Sequence, residues 1–268
     1  MRSYVINLDR SSDRLMRMTD RFASVGLSFE RISAVDGRLL SPTEIADVYK
    51  PVFGAATMTQ EEVGCFLSHR RCWERIASEA DPYGCVFEDD MLMSRHADLF
   101  LGGDTTWIPA GADIVKIEAI AGRGVWLDRA VKLLPRDFKL GLLRGFAFGS
   151  GGYILSRSTA ERLLLITRVF SDAVDHVKFN PECGIADSLK SYQMFPGLCI
   201  QTQVFYPKGS SLVDAPALAT HSVPRFPGRS RSWLVQKSLQ AFRRMSHKFR
   251  RHRRTVILFA NEGCPVEP

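Results

Sequence analysis

The hydrophobic period of the first 35 residues changes twice. Residues 2–8 alternate enough between apolar and polar side chains for a strand, residues 13–25 carry apolar side chains at helical spacing, and residues 29–35 return to a strand-like pattern. The apolar helix positions are Leu15, Met18, Phe22 and Val25. Gly26 follows directly and is a typical helix stop. This order predicts a βαβ unit of the kind that binds nucleotides.

The same alternation of periods continues along the chain. Ser41 and Glu44 have the spacing of a capping box, and Thr59 precedes a second, longer helix. The apolar positions of that helix are Val63, Phe66, Leu67, Cys72, Trp73 and Ile76. Further strands are predicted at residues 85–87, 113–118, 131–134 and 153–156, and a further helix at 159–169. Strands that alternate with helices predict an α/β protein.

The positive charge is concentrated at one end of the chain. The net charge is +7, but eleven of the 36 Lys and Arg lie in residues 225–254, and only two of the 29 acids, Glu262 and Glu267, follow residue 224. The first 224 residues are therefore nearly neutral. We divide the chain into a domain of residues 1–224 and a basic amphipathic tail of residues 225–268. Within the tail, an apolar stripe predicts a helix over 232–254, and its members are Val235, Leu239, Phe242 and Phe249.

Length and composition exclude some classes of protein. The 268 residues are 45% hydrophobic, which suffices for one large core or two small ones. No run of about 18 apolar residues is present, so we expect no transmembrane helix. The first residues already follow a strand pattern and lack the apolar core of a signal peptide, so we expect a cytoplasmic protein.

The six cysteines form no CxxC pair. Cys65, Cys72 and Cys85 lie in apolar stretches, where buried free thiols are more typical than disulfides or zinc ligands.

Three consecutive carboxylates, Glu88, Asp89 and Asp90, end the apolar strand at 85–87 and are followed by an apolar Met-Leu-Met. Ligands bind to open α/β sheets beyond the carboxyl ends of the strands. Three acids at such a place repel one another unless a cation or a shared proton offsets their charge. A hard divalent ion that also binds a diphosphate meets this requirement. The alternative is a solvated acidic turn, which the apolar flanks disfavour.

Two further groups follow the strands of the βαβ unit. Asn7, Arg10 and Arg14 lie between the first strand and its helix, where guanidinium groups and a helix N-terminus favour an anion. A solvated basic face is the alternative. Asp36 and Gly37 follow the second strand, where an acid could accept hydrogen bonds from a ribose or a base, although these two residues alone favour an ordinary turn. Neither a GxGxxG nor a GxxxxGK[ST] motif is present.

Several isolated residues are weaker candidates. His69 is a ligand or proton shuttle, or a core histidine. Gly152 belongs to a run of small residues that either approaches a ligand or packs a strand against a helix. Asp175 could take a proton from an acceptor hydroxyl. His221 could complete a metal site, although a surface histidine is the usual alternative.

Taken together, these residues resemble glycosyltransferase family 25, the bacterial lipopolysaccharide and lipooligosaccharide transferases. The matching motifs fall in family order over about residues 3–205. They are Ile6-Asn7-Leu8-Asp9-Arg10 with Arg14, Ala34-Val35-Asp36-Gly37, Glu62-Val63-Gly64-Cys65-Phe66-Leu67-Ser68-His69, Phe87-Glu88-Asp89-Asp90, Gly149-Ser150-Gly151-Gly152-Tyr153-Ile154-Leu155-Ser156 and Val174-Asp175-His176.

The resemblance implies a GT-A-like nucleotide-sugar-binding fold, in which a mixed, mostly parallel sheet is flanked by helices. It also implies a UDP-hexose donor such as UDP-galactose, a glycan or glycolipid acceptor, and Mn²⁺ or Mg²⁺ between the diphosphate and the acidic motif. The motif reads Glu-Asp-Asp and not Asp-x-Asp, so which carboxylates bind the ion stays open. Inversion at the anomeric carbon is favoured.

By position, the resemblance assigns a role to each candidate. Glu88 and Asp90 are the expected metal ligands, with His221 as a further ligand, and Asp175 is the expected base or acceptor contact. The expected contacts to the donor nucleotide-sugar are Asn7, Arg10, Arg14, Asp36, Gly37, His69, Asp89 and Gly152.

The tail lies outside these motifs and leaves three readings. A basic amphipathic helix suits the anionic inner face of the cytoplasmic membrane, where each cation contributes about 1 kcal/mol. Alternatively, the protein binds nucleic acid or another polyanion; Phe242 and Phe249 follow helical spacing and do not form a stacking platform, so we expect no specific nucleic acid. A transferase fold without catalysis is the third reading, against which the intact acidic motif argues.

Overall fold

A computed structural model describes residues 1–51, 57–120, 124–206 and 252–260. The strands are β1 Arg2–Asn7, β2 Glu30–Ser33, β3 Tyr83–Glu88, β4 Met91–Met93, β5 Ile114–Lys116, β6 Gly124–Leu133, β7 Lys139–Leu143, β8 Gly152–Ser156, β9 Ser191–Phe195, β10 Cys199–Gln201 and β11 Arg253–Val256. The helices are α1 Ser12–Ser24, α2 Pro42–Val48, α3 Gln60–Ser78, α4 Asp98–Leu101, α5 Arg157–Ile166, α6 Val174–Phe179 and α7 Thr202–Phe205. Short 3₁₀ helices lie at Gly37–Leu39, Pro135–Asp137, Pro181–Cys183 and Ala186–Ser188.

Nine strands form one mixed sheet in the order β11-β6-β7-β9-β5-β8-β3-β1-β2. β1 pairs in parallel with β2 and with β3, and β5 pairs in parallel with β9. The other five pairings are antiparallel. The predicted α/β class and the mixed sheet flanked by helices are confirmed, with the parallel pairings in the minority. The parallel part contains the βαβ unit of β1, α1 and β2.

Strand alternation divides the core into two layers. In β1, Tyr4 and Ile6 belong to the cluster under α3 and α5, whereas Val5 belongs to the cluster under α1. In β3, Val86 and Phe87 divide in the same way. Successive side chains of a strand point to opposite faces, so both faces of this sheet are covered by helices.

α3 forms where its caps and its apolar face predict it. The Thr59 side chain accepts from the Glu62 backbone N–H, and Glu62 reaches back to the Thr59 N–H, which completes a capping box. On the buried face, the Phe66 ring stacks on that of Phe170 with centroids 3.8 Å apart. The same face carries His69 into the core beside β3.

The residues after the acidic motif form a strand that the sequence did not reveal. Met91–Met93 pairs with Cys199–Gln201 in a separate two-stranded antiparallel sheet. Thr202, which follows β10, donates both its backbone N–H and its hydroxyl to the carbonyl oxygen of Asp90, at 2.8 and 2.7 Å. These two hydrogen bonds hold the backbone just beyond the end of β3.

The basic tail is described only in part. Residues 207–251, which include His221 and most of the predicted helix at 232–254, lie outside the described residues. The end of that helix prediction is wrong, because Arg253 and Arg254 lie in β11, which pairs antiparallel with β6 at the sheet edge. The domain boundary at residue 224 stays a prediction. Within the described ranges, no helix has the length and apolarity needed to cross a membrane.

Candidate active site

A pocket opens at the carboxyl ends of β1 and β3, the neighbouring parallel strands that align Ile6 with Glu88. Such ends are where open α/β sheets bind their ligands. The residues that line the pocket are Ile6, Arg14, Ala34, Val35, Cys65, Ser68, His69, Glu88, Asp89 and Asp90. The structure therefore brings the three acids together with Arg14 and His69, as the sequence predicted.

Asp89 is buried and fully engaged by its neighbours. Asn7 donates its side-chain N–H to Oδ2 at 2.8 Å, and Arg14 donates to Oδ1 at 2.9 Å. Burial raises the pKa of Asp89, while Arg14 and Asn7 act in the opposite direction. Both carboxylate oxygens are thus used to join β3 to β1 and α1. The predicted contact between Asp89 and the donor sugar stays a prediction.

Asp90 has the opposite environment. Its Oδ1 atom is buried and has no hydrogen-bond partner among the residues that the structure describes. Burial raises the pKa of Asp90 to about 8, and the charges of Glu88 and Asp89 act in the same direction. A buried oxygen without a donor and an excess of negative charge are what a divalent cation would offset. The residues at this end of β3 therefore fit a bound cation.

Glu88 lies against two side chains. Gln201 donates to Oε2 at 3.2 Å, and Nε2 of His69 lies 3.5 Å from Oε1. Burial, and then the charge of Lys178, lowers the pKa of His69 to about 4. His69 is therefore neutral at neutral pH and carries a proton on one ring nitrogen.

Tyr153 connects His69 to the core. Its hydroxyl accepts from Nε1 of Trp73 at 2.8 Å and lies 2.9 Å from Nδ1 of His69. Because the hydroxyl already accepts from Trp73, its own proton is available to Nδ1, which assigns the imidazole proton to Nε2. In this arrangement the Nε2–H of His69 faces Oε1 of Glu88 at 3.5 Å without forming a hydrogen bond. Cys65, His69 and Glu88 are a second set of possible ligands in this pocket, because their ligand atoms lie within 4.8 Å of one another. A thiol and an imidazole suit a softer cation than carboxylate oxygens do.

Arg10, Asp36 and Gly37 lie beside the pocket and do not line it. Asp36 pairs with Arg10 and Arg38, and its carboxylate also accepts from the Arg38 backbone N–H at the start of a 3₁₀ helix. A Cβ on Gly37 would lie 1.9 Å from the carbonyl oxygen of Gln60, so close packing against α3 explains this glycine. Its predicted contact with the donor remains untested by the geometry.

Gly152 also lies outside the pocket lining. It begins β8, and a Cβ there would meet the sulfur of Cys199 at 2.2 Å. Tight packing, one of the two explanations open from the sequence, is therefore present at this position.

Asp175 is placed near the pocket but does not line it. Its carboxylate accepts from the backbone N–H groups of Gly149 and His176, at 3.1 and 2.9 Å, and only 8% of the residue is exposed. Its negative charge acts on the pKa values of His69 and Lys178, which places it within electrostatic reach of both. A carboxylate fixed by two backbone donors is well oriented for proton transfer.

Lys178 is the residue that sequence reasoning missed. Its side chain is fully buried, and its Nζ atom lies 3.4 Å from the centroid of the Tyr153 ring. Within the described part of the chain, Nζ has no hydrogen-bond partner. Burial, and then the charge of Lys116, lowers the pKa of Lys178 to about 7. The available signal was its spacing from Val174 and Val177, which puts Lys178 on the apolar face of α6.

The sequence pattern of a known family matches residues 1–178, and its description is glycosyltransferase family 25 (LPS biosynthesis protein). The chain belongs to this family. It is accordingly an enzyme of the glycosyltransferase class, and the acidic pocket lies within the matched residues. Residues 179–268, including the basic tail, lie beyond the match.

Relatives cover most of the chain. The lipooligosaccharide biosynthesis protein lic2B of Haemophilus influenzae is 28% identical over 223 residues, which are 78% of this chain and 79% of that protein. The lacto-N-neotetraose biosynthesis glycosyltransferase LgtE of Neisseria gonorrhoeae is 28% identical over 211 residues, or 75% and 74% of the two chains. Among solved structures, the inositol-1-phosphate CTP transferase of T. maritima aligns over 84% of this family 25 chain and 94% of its own, at 12% identity and a TM-score of 0.37.

Proposed function

We propose that this family 25 enzyme transfers a hexose, with galactose as the first donor to test, from a UDP-sugar to a hydroxyl group of a lipopolysaccharide or lipooligosaccharide acceptor. The observation that carries the proposal is the unpartnered, buried Oδ1 of Asp90 beside Glu88, at the carboxyl end of β3. The acceptor class is supported by the names of the relatives, which act in lipooligosaccharide and lacto-N-neotetraose biosynthesis. The proposal includes a GT-A-like arrangement of the sheet around the nucleotide.

Glu88 and Asp90 would hold Mn²⁺ or Mg²⁺ together with the donor diphosphate. The ion would offset the charge of the departing UDP, which is otherwise a poor leaving group. Gln201 donates a hydrogen bond to Glu88, and Thr202 fixes the backbone of Asp90. Preorganised ligands of this kind bind an ion without first rearranging.

The nucleotide would lie against the ends of β1 and β2. Asn7 and Arg14 both bind Asp89. This contact keeps the guanidinium group of Arg14, and its positive charge, at the edge of the pocket. Asp36 would accept hydrogen bonds from the ribose, with Arg10 as its partner when the site is empty of ligand. Asp175 would accept the proton of the acceptor hydroxyl as that oxygen attacks the anomeric carbon, with inversion of configuration.

The experiment is UDP release from a panel of UDP-sugars, with and without Mn²⁺, in the wild type and in Asp90→Asn. Asn keeps the size of the side chain and removes the charge. Asp20→Asn, at an exposed position on α1, is the matched control. Metal-dependent release that is lost in Asp90→Asn and kept in Asp20→Asn supports the proposal. Turnover of no UDP-sugar, or metal-independent turnover in Asp90→Asn, would refute it.

The tail extends the proposal to the place where the enzyme works. The cations of residues 225–251 would hold the protein at the anionic inner face of the cytoplasmic membrane, near a lipid-linked acceptor. Because Arg253–Val256 is a sheet strand, truncation would disturb the fold. The sharper test replaces Arg243, Arg244, Lys248 and Arg250 with Gln and measures flotation with anionic vesicles. Unchanged flotation would remove the membrane assignment and leave the transferase assignment intact.

A further inference from the structure

A second group of metal-ligand side chains lies outside the pocket. Asp172, His176 and Cys183 bring a carboxylate oxygen, a ring nitrogen and a thiol within 4.8 Å of one another. All three are partly buried, so an ion from solvent can reach them. None of the three lines the pocket of Glu88 and Asp90.

Three neighbouring segments bring these side chains together. Asp172 precedes α6, His176 lies in the first turn of α6, and Cys183 ends the 3₁₀ helix Pro181–Cys183. Asn180 contacts His176 through its side-chain amide, with its nitrogen 3.2 Å from Nδ1. The edge of the Phe146 ring contacts the imidazole, with centroids 4.5 Å apart. Because the Asn180 oxygen accepts from the Glu182 backbone N–H, the amide nitrogen donates to Nδ1, which is therefore the unprotonated ring nitrogen; an ion bound at Nδ1 would replace this hydrogen bond.

Asp172 and Cys183 already interact in the absence of an ion. Burial, and then the charge of the nearby Asp172, raises the pKa of the Cys183 thiol to about 12. The thiol therefore retains its proton at neutral pH. When a cation binds, the metal–sulfur bond would replace the S–H bond, and the proton would leave to solvent.

We propose that Asp172, His176 and Cys183 form a transition-metal site of the Zn²⁺ class, separate from the nucleotide-sugar metal site. Thiolate and imidazole ligands select such ions over Mg²⁺ or Mn²⁺. Donor atoms in a tetrahedral zinc site lie roughly 3.5 Å apart, so ligand atoms within 4.8 Å of one another need to close by at most about 1.3 Å. The fourth position is left for water.

The site would stabilise the segment that carries Asp175. Among the described residues, 167–190 contain no regular element longer than the six residues of α6. An ion bound by Asp172 and Cys183 would close this segment into a loop that encloses α6, which restricts the unfolded chain and fixes the helix. Asp175 lies in that loop, one position before His176.

The test uses the reduced full-length protein and Zn²⁺ or Co²⁺ alone. We expect the wild type to retain roughly one equivalent of Zn²⁺ through gel filtration, and Co²⁺ to give a thiolate charge-transfer band with tetrahedral visible absorption. Cys183→Ser and His176→Asn should weaken retention by at least about 100-fold. Cys183→His should keep Zn²⁺ while losing the charge-transfer band.

Two controls separate this site from the pocket. Cys65→Ser removes the thiol of the cluster beside Glu88, and Asp90→Asn removes the unpartnered carboxylate. Both variants should retain Zn²⁺ and the Co²⁺ spectrum. Loss in Cys65→Ser with retention in Cys183→Ser would overturn the assignment, as would a wild type that binds neither ion. A thermal shift with Zn²⁺ in the wild type but not in Cys183→Ser gives an independent readout, and none of these measurements depends on transferase activity.

Discussion

Two clusters of charge, one at the end of β3 and one on β5 and α6, each contain a paired and, within the described residues, an unpaired member. The acidic cluster, Glu88, Asp89 and Asp90, has one member, Asp89, whose oxygens are both paired, and one, Asp90, with an unpartnered oxygen. The lysine cluster, Lys116 and Lys178, likewise has one member with hydrogen-bond partners and one without among the described residues. Nζ of Lys116 donates at 2.6 Å both to Glu118 and to the carbonyl oxygen of Gly149, whereas Lys178 has only aromatic faces.

The difference lies in access. Asp90 lines a pocket, so an ion from outside can supply the missing charge. Lys178 is sealed beneath Tyr153 and does not line that pocket, so its excess charge is relieved by the ring and by loss of its proton. An unpaired charged group that lines a pocket thus indicates a ligand site. An unpaired group that no pocket reaches indicates a structural role at some cost in stability.

The largest expected effect is the pH dependence that Asp90 imposes. Its pKa rises from 3.8 to about 8 on folding, so the folded protein keeps a proton that the unfolded chain releases. Without metal, the free energy of unfolding should fall by about 5 kcal/mol as the pH rises from 4 to 8. Urea unfolding measures this. Mn²⁺ should remove most of the slope in the wild type, and Asp90→Asn should remove it without metal.

Arg14→Met tests the paired member of the acidic cluster. Removal of the guanidinium leaves Asp89 buried with Asn7 alone and next to two like charges, which should lower the free energy of unfolding by about 3 kcal/mol at pH 7. The loss should shrink toward pH 5, as Asp89 takes up a proton. Arg17→Met, one turn further along α1, is the control. Equal stability of both variants would contradict the role assigned to Arg14.

Lys178→Met tests the sealed charge. The pKa of Lys178 falls from 10.5 to about 7 on folding, so the unfolded chain binds the extra proton and the stability of the wild type should rise between pH 7 and 10.5. Met removes the buried amine and should flatten this rise while stabilising the protein by about 2 kcal/mol at pH 7. Destabilisation at pH 7 would instead mean that the cation–π contact with Tyr153 outweighs the desolvation of the amine.

The smallest effect is expected where the two clusters meet. Tyr153→Phe removes the hydroxyl that bonds Trp73 and His69 and should lower the free energy of unfolding by about 1–2 kcal/mol. The ring that covers Lys178 is kept, so the stability rise between pH 7 and 10.5 should persist. If that rise disappears, the hydroxyl and not the ring face controls the amine.

Local patterns predicted many residues of the site but not which side chains pair with one another. The βαβ unit, the capping boxes and the strand before Glu88 follow from period and from cap residues, and each is confirmed. Asp89 and Asp90 are adjacent and chemically identical in sequence. Their different environments come from Asn7 and Arg14, which are more than seventy residues away. No local pattern carries that information.

The sequence by itself determined the family, the α/β class and the strand end at which the acids gather, because these depend on hydrophobic period and on short motifs. Only the tertiary structure decided which acid is paired, that the glycines Gly37 and Gly152 are required by packing, and that Lys178 is sealed in the core. It also placed Arg253–Val256 in the sheet, where the local pattern favoured a helix. The physical reason is that burial and partner choice depend on contacts between distant segments, and those contacts override local preference.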